Sequence, residues 1–70
     1  MDKKNSGVGV LDKAVRILAV LESGPHSLSE LVAATKIARP TAHRLAVALE
    51  FHRLVARDLN GRFKIGRAHV

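Results

Sequence analysis

A two-residue connection constrains this chain more than anything else in it. Ser27–Thr35 and Arg39–Phe51 both read as helices, and Lys36-Ile37 is the turn between them. Two helices joined so tightly must cross steeply, which is the helix-turn-helix arrangement. Val32, Ile37, Ala42 and Leu45 are then the residues expected to pack at the crossing. The earlier helix is announced by Ser27-Leu28-Ser29-Glu30, a capping box in which Ser accepts from the third N–H and Glu reaches back to the cap. Leu28, Leu31 and Val32 give it an inward face.

The later helix has two unlike sides. At 3.6 residues per turn, Ala38, Ala42, Leu45 and Leu49 stack on one of them. Arg39, Pro40, His43, Arg44 and Val47 fall on the other. Pro40 suits a first helical turn, where its missing N–H would be an orphan anyway. Arginines at a helix start oppose the dipole, which favours anions there. They make sense if a polyanion sits in front of them, as DNA sits before a recognition helix.

Flanking segments complete a small domain over residues 10–66. Residues 10–23 read as a first helix, with Val10, Leu11, Ala14, Ile17, Leu18 and Leu21 on one stripe and Asp12 in the first turn. Gly24-Pro25 stops it. Val15, Ala19 and Val20 lie off that stripe, either simply exposed or covered by a partner subunit. Residues 54–58 and 62–66 read as strands, joined through Asp58-Leu59-Asn60-Gly61. Asn60-Gly61 signals a tight type I′ hairpin. Phe63 and Ile65 should face the core and Arg62 and Lys64 should face outward. The expected fold is mainly α with a small β-hairpin: a winged helix-turn-helix of three helices and a two-stranded wing. Residues 1–9 read as a flexible arm and residues 67–70 as a tail, the start of a linker.

Charge placement agrees with an anionic partner. The net charge is +6, yet residues 1–35 carry four basic and four acidic side chains. All the excess lies in residues 36–70, where eight basic residues face only Glu50 and Asp58. At seventy residues the chain is one small domain that buries about 60% of its unfolded surface. It has no cysteine, hence no disulfide or thiolate metal site. His26, His43, His52 and His69 do not stand at metal-ligand spacings, and no nucleophile or phosphate-cradling glycine loop accompanies them, so neither metal, cofactor nor catalysis is expected. Two phenylalanines and no Trp or Tyr argue against single-strand binding by base stacking. Without an 18-residue apolar run or a secretory leader, the expectation is a cytoplasmic protein that does not enter a membrane.

The run Leu28-x-x-Leu31-Val32-x-x-x-x-Ile37-Ala38-Arg39-Pro40-Thr41-Ala42-His43-Arg44-Leu45, then Leu49 and Gly61-Arg62-Phe63-Lys64-Ile65-Gly66, resembles the DNA-binding domain of the IclR family of bacterial transcription regulators. The likeness covers about residues 8–66. The opening from Gly7 to Ala14 and the helix from Ala38 to Glu50 look most like an actinobacterial subgroup regulating amino-acid biosynthesis, leucine among it. The resemblance implies a dimer, or dimer of dimers, on a roughly palindromic double-stranded operator. It places Arg39, Thr41, His43 and Arg44 at recognition-helix positions and Asn60, Gly61 and Arg62 at the wing tip; the helix and strand reading adds Pro40 and Val47 to the helix and sets Arg57, Arg62 and Lys64 as wing anchors on phosphate. It assigns any small-molecule effector to a domain outside these residues. The family usually has Gly where this chain has Lys36 and Arg53; a left-handed Lys36 costs about 1 kcal/mol unless the turn takes another shape.

Within that reading Arg39 and Arg44 clamp phosphate or read guanine, and His43 and Val47 point at base edges. Thr41 fits either capping or phosphate contact. Two rivals share the fold: a winged helix that docks an acidic protein, and an RNA-binding helix-turn-helix.

Overall fold

In the computed structural model, residues 8–66 are described; the sequence's arm and tail otherwise lie outside them. Three helices precede a two-stranded antiparallel sheet: α1 (Val8–Leu21), α2 (Leu28–Thr35), α3 (Arg39–Phe51), β1 (Val55–Arg57) and β2 (Phe63–Ile65). α1 therefore begins two residues before the expected start and takes in Gly9, which the sequence reading left in the arm. With the helix starting there, Asp12 falls beyond the first turn. It instead pairs with Arg16 one turn on, 3.8 Å away.

Periodicity overstated the buried length of α1. Ile17 and Leu21 are buried and Ala14 and Leu18 pack against the core, but Val10 and Leu11 are exposed. Val10 shares the inward stripe, yet it lies at the edge of the core and stays 62% exposed. Val20, expected off the stripe, is half-buried against the core.

The turn between α2 and α3 is stabilised by one buried side chain. Thr35 Oγ1 donates to Leu31 O at 2.7 Å and accepts from Ile37 N–H at 3.2 Å. Its carbonyl accepts from Arg16 Nη1 at 2.9 Å, tying α1 to the same point. A buried hydroxyl so satisfied avoids the desolvation penalty of an orphan. Lys36 then takes φ 64°, and its N–H bonds Val32 O at 2.9 Å as a left-handed helix stop. The Ser27–Glu30 capping box is present in both directions, at 3.1 and 2.8 Å.

α3 crosses this pair on small residues. Ala42 and Ala46 are fully buried and Leu49 nearly so. Ala46 was absent from the expected packing side, whereas Ala38 is exposed as the residue before the helix. Alanines at the crossing let the backbones approach closely. The wing completes the core with Val55 and Phe63. Register pairs Val55 with Ile65 and Arg57 with Phe63. Phe63 is also bridged to His26 by reciprocal backbone bonds of 2.9 and 2.8 Å, so the α1–α2 loop lies against the far side of β2.

The hairpin loop differs from the expected type I′ turn, and its strands are shorter than expected at each end. Among the described residues only Lys36 and Arg53 are non-glycines with positive φ, so Asn60 is not left-handed; Gly61 is, at φ 80°. Gly61 N–H bonds Asp58 O at 3.0 Å and Asp58 N–H bonds Arg62 O at 2.9 Å. This is a three-residue loop ending on a left-handed glycine. Asp58 decides the outcome, because its Oδ1 accepts from both Asn60 N–H and Arg62 N–H at 2.9 Å.

Candidate nucleic-acid interface

The buried residues of α3 fix which way the rest of the helix looks. With Ala42, Ala46 and Leu49 inward, Pro40, Arg44, Val47 and Phe51 form the opposite ridge. Pro40 and Arg44 are exposed, Val47 is 39% exposed and Phe51 80%. Phe51 was not foreseen on this face; the sequence reading gave it no role beyond ending the helix. Arg44 is exposed and makes no ion pair or hydrogen bond among the described residues. His43 is exposed on the flank that Arg39 and Glu50 share, and Thr41 is half-buried on the other flank. Arg39 is exposed but donates from Nη1 to Ser29 Oγ at 3.2 Å, which orients it along the start of α2.

The wing cations are less free than the sequence suggested. Arg62 stays partly exposed, but its Nε lies 3.4 Å from Asp58 Oδ2 and is shielded from solvent without a well-aligned hydrogen bond. Arg57 sits 3.3 Å from Glu50 Oε1 and 4.3 Å above the Phe63 ring centroid. Glu50 belongs to α3, so this contact fastens the recognition-helix candidate to the wing. Lys64 is exposed beside Arg57, and Asn60 and Gly61 are exposed at the loop tip. The Arg62 backbone N–H holds the Asp58 carboxyl below its ordinary 3.8; desolvation opposes it, and the Asn60 N–H and the Arg62 charge add smaller lowering effects. Asp58 is thus ionised at neutral pH and offsets one wing cation.

Sequence reasoning missed the Arg16–Thr35 tie that fixes the turn. No local pattern signals it, since the partners are nineteen residues apart. Among the described residues no three His, Asp or Glu side chains gather as metal ligands, and no helix is long and apolar enough to cross a membrane.

The surface is therefore an exposed helix ridge bearing an arginine unpaired among the described residues, a flank of histidine and oriented arginine, and a loop tip beside it. Comparison with known proteins agrees with that geometry. The model of the IclR helix-turn-helix domain matches residues 10–59. Among solved structures, a Rhodococcus protein described as a transcriptional regulator of the IclR family superposes with a TM-score of 0.80 at 22% identity. The superposition takes in 94% of this chain and 27% of that one, so this chain spans about a quarter of that protein's length. No curated protein matches it.

Proposed function

This chain belongs to the IclR helix-turn-helix family, and from that premise we propose that it is the duplex-DNA-binding module of a transcription regulator. α3 enters the major groove with Arg44 and Val47 foremost and His43 and Arg39 on the flank toward the wing. Pro40 starts the helix at the groove edge, and Thr41 lies against the neighbouring backbone. The wing tip, Asn60 and Gly61, meets the adjacent backbone with Lys64. Arg57 and Arg62 reach phosphate only by exchanging their carboxylate partners for it. The observation that carries this reading is the unobstructed Pro40–Arg44–Val47 ridge, whose arginine has no partner among the described residues.

Further parts of the reading rest on family resemblance. The regulator acts as a homodimer or dimer of dimers in the cytoplasm, and it senses a small molecule through a domain outside these residues. Its operators lie near amino-acid biosynthesis genes, leucine among them.

The test is a titration against duplexes from upstream of its own gene and of leucine-biosynthesis genes, at two salt concentrations. An Arg39→Ala/Arg44→Ala double variant runs alongside. One protected site, lost in the variant, is expected. Salt-sensitive binding without a preferred site, unchanged in the variant, would mean generic attraction by a basic surface and end the specific reading. Duplex RNA competing as well as the operator would favour the RNA-binding rival.

A further inference from the structure

α1 belongs to the framework of the domain, yet two of its side chains, Val10 and Lys13, share a cleft with the recognition-helix candidate. The cleft has a volume of about 260 Å³ and is lined by Val10, Lys13, Thr41, Arg44, Leu45 and Ala48. We propose that it seats one phosphodiester of the DNA backbone, making Lys13 a DNA-contacting residue outside the helix-turn-helix. The inference rests on the duplex-DNA reading above and adds a position and a partner atom to it.

Its chemistry is that of an anion seat. Lys13 and Arg44 bring two cations from different helices to one cleft, where they repel each other unless an anion lies between them. Neither has an ion-pair partner among the described residues. The acidic neighbour on α1, Asp12, is engaged instead with Arg16, on the side where Arg16 meets the Thr35 carbonyl. Thr41 adds a hydroxyl. It also stands in the first turn of α3, where the first helical bond runs from Ala42 N–H to Ala38 O at 2.8 Å. N–H groups ahead of that bond have no acceptor within the helix. The remaining lining, Val10, Leu45 and Ala48, is apolar and suits the carbons of a deoxyribose better than it suits bulk water.

The occupant is a backbone phosphate rather than a free anion because Arg44 lies on both surfaces. It lines the cleft and also stands on the exposed ridge between Pro40 and Val47. A polyanion lying along that ridge therefore runs into the cleft without a break.

Each neutralised phosphate contributes about 0.9 to the slope of log K against log salt. The full chain is first used to select its preferred duplex from a random pool. Binding of wild type, Lys13→Gln and Lys13→Arg is then measured at 50 and 200 mM salt. Between those concentrations wild type should lose about 3.5-fold more affinity than Lys13→Gln, with Lys13→Arg like wild type and base preference the same in all three. One neutral methylphosphonate, placed in turn along the backbone, should weaken wild type at a position where it hardly affects Lys13→Gln. Equal salt slopes, or methylphosphonate profiles that coincide, overturn the phosphate seat while leaving DNA binding intact. A wild-type chain that selects no duplex overturns the DNA reading itself, and this inference with it. Far-UV circular dichroism of the variants, substituted at an exposed position, confirms that all three share one fold.

Discussion

Lys36 and Arg53 hold φ at 64° and 67°, a backbone region costly for any residue with a Cβ. Both stand where the resembling family usually has glycine, and both are cations bordering α3. From the sequence, Lys36 was compatible with strain or with a differently shaped turn. The choice depended on whether its N–H must reach Val32 O, which is a tertiary matter. Lys36→Gly and Arg53→Gly should each raise stability by up to about 1 kcal/mol, the relief of about 1–2 being partly offset by glycine's greater unfolded-state entropy. Urea midpoints at constant m-value check this; a fall in midpoint for both variants would show that the left-handed positions carry no strain. Asp58 gives a second prediction at this scale. Its folded-state carboxyl is held below 3.8, so its contribution to stability is present above that value and is lost as pH falls through the folded pKa. Asp58→Asn keeps an oxygen acceptor for the two loop N–H groups but cannot titrate. The gap in Tm between wild type and Asp58→Asn should therefore be flat from pH 7 to about 5 and narrow at more acidic pH. A gap independent of pH down to 2 would rule out the carboxylate's role in closing the loop.

Elements with local punctuation were legible, and those organised from a distance were not. Ser27 and Glu30 cap one another within three residues, so the cap of α2 was readable to the residue, with the helix itself starting one residue later at Leu28. Pro40 and the alternation of buried positions did the same for α3. The start of α1 was misplaced because Gly9, a weak helix former, reads as part of the arm. The wing loop was misread because Asn60-Gly61 was given more weight than Asp58, whose carboxylate claims two N–H groups and sets the loop length. The His26–Phe63 bridge and the Arg57–Glu50 tie join residues far apart or on different elements, and neither leaves a trace in periodicity. That tie changes what the recognition surface can be. The six residues assigned to α3 were all on or beside an exposed surface, but two of the three wing cations are already matched to carboxylates. Glu50→Gln should release Arg57 while costing little stability, since a half-exposed pair contributes roughly 0–1 kcal/mol. The variant should bind unrelated duplex DNA more tightly and with a steeper salt slope, by up to about 0.9 if Arg57 then takes a phosphate. An unchanged slope would mean that Arg57 stays over the Phe63 ring whether or not Glu50 holds it.

At the scale of the molecule, one module presents one recognition helix, and the electrostatic share of its affinity is set by few free cations. Of the eight basic residues in the C-terminal half, Arg57 and Arg62 are matched internally and Arg39 is partly committed to Ser29. Net charge therefore overstates the footing available on DNA, and single-module binding should be weak and steeply salt-dependent. On a palindromic site, joining two modules should add affinity that one module lacks. Linking two binding units turns the second contact into an intramolecular one at an effective concentration of about 1 mM, for an overall gain of about 10²–10⁴-fold. A tandem of two copies on a flexible linker long enough to span one helical turn of DNA, about 34 Å, should bind a palindrome at least about 100-fold tighter than one copy binds a half-site. The gain should vanish when one half-site is scrambled, and should shrink when the half-sites are moved half a turn apart, because the two helices then face opposite sides of the duplex. A tandem that gains equally on scrambled and intact palindromes would show that the second copy adds only charge. The ridge of α3 would then be a basic surface and not a reader of sequence.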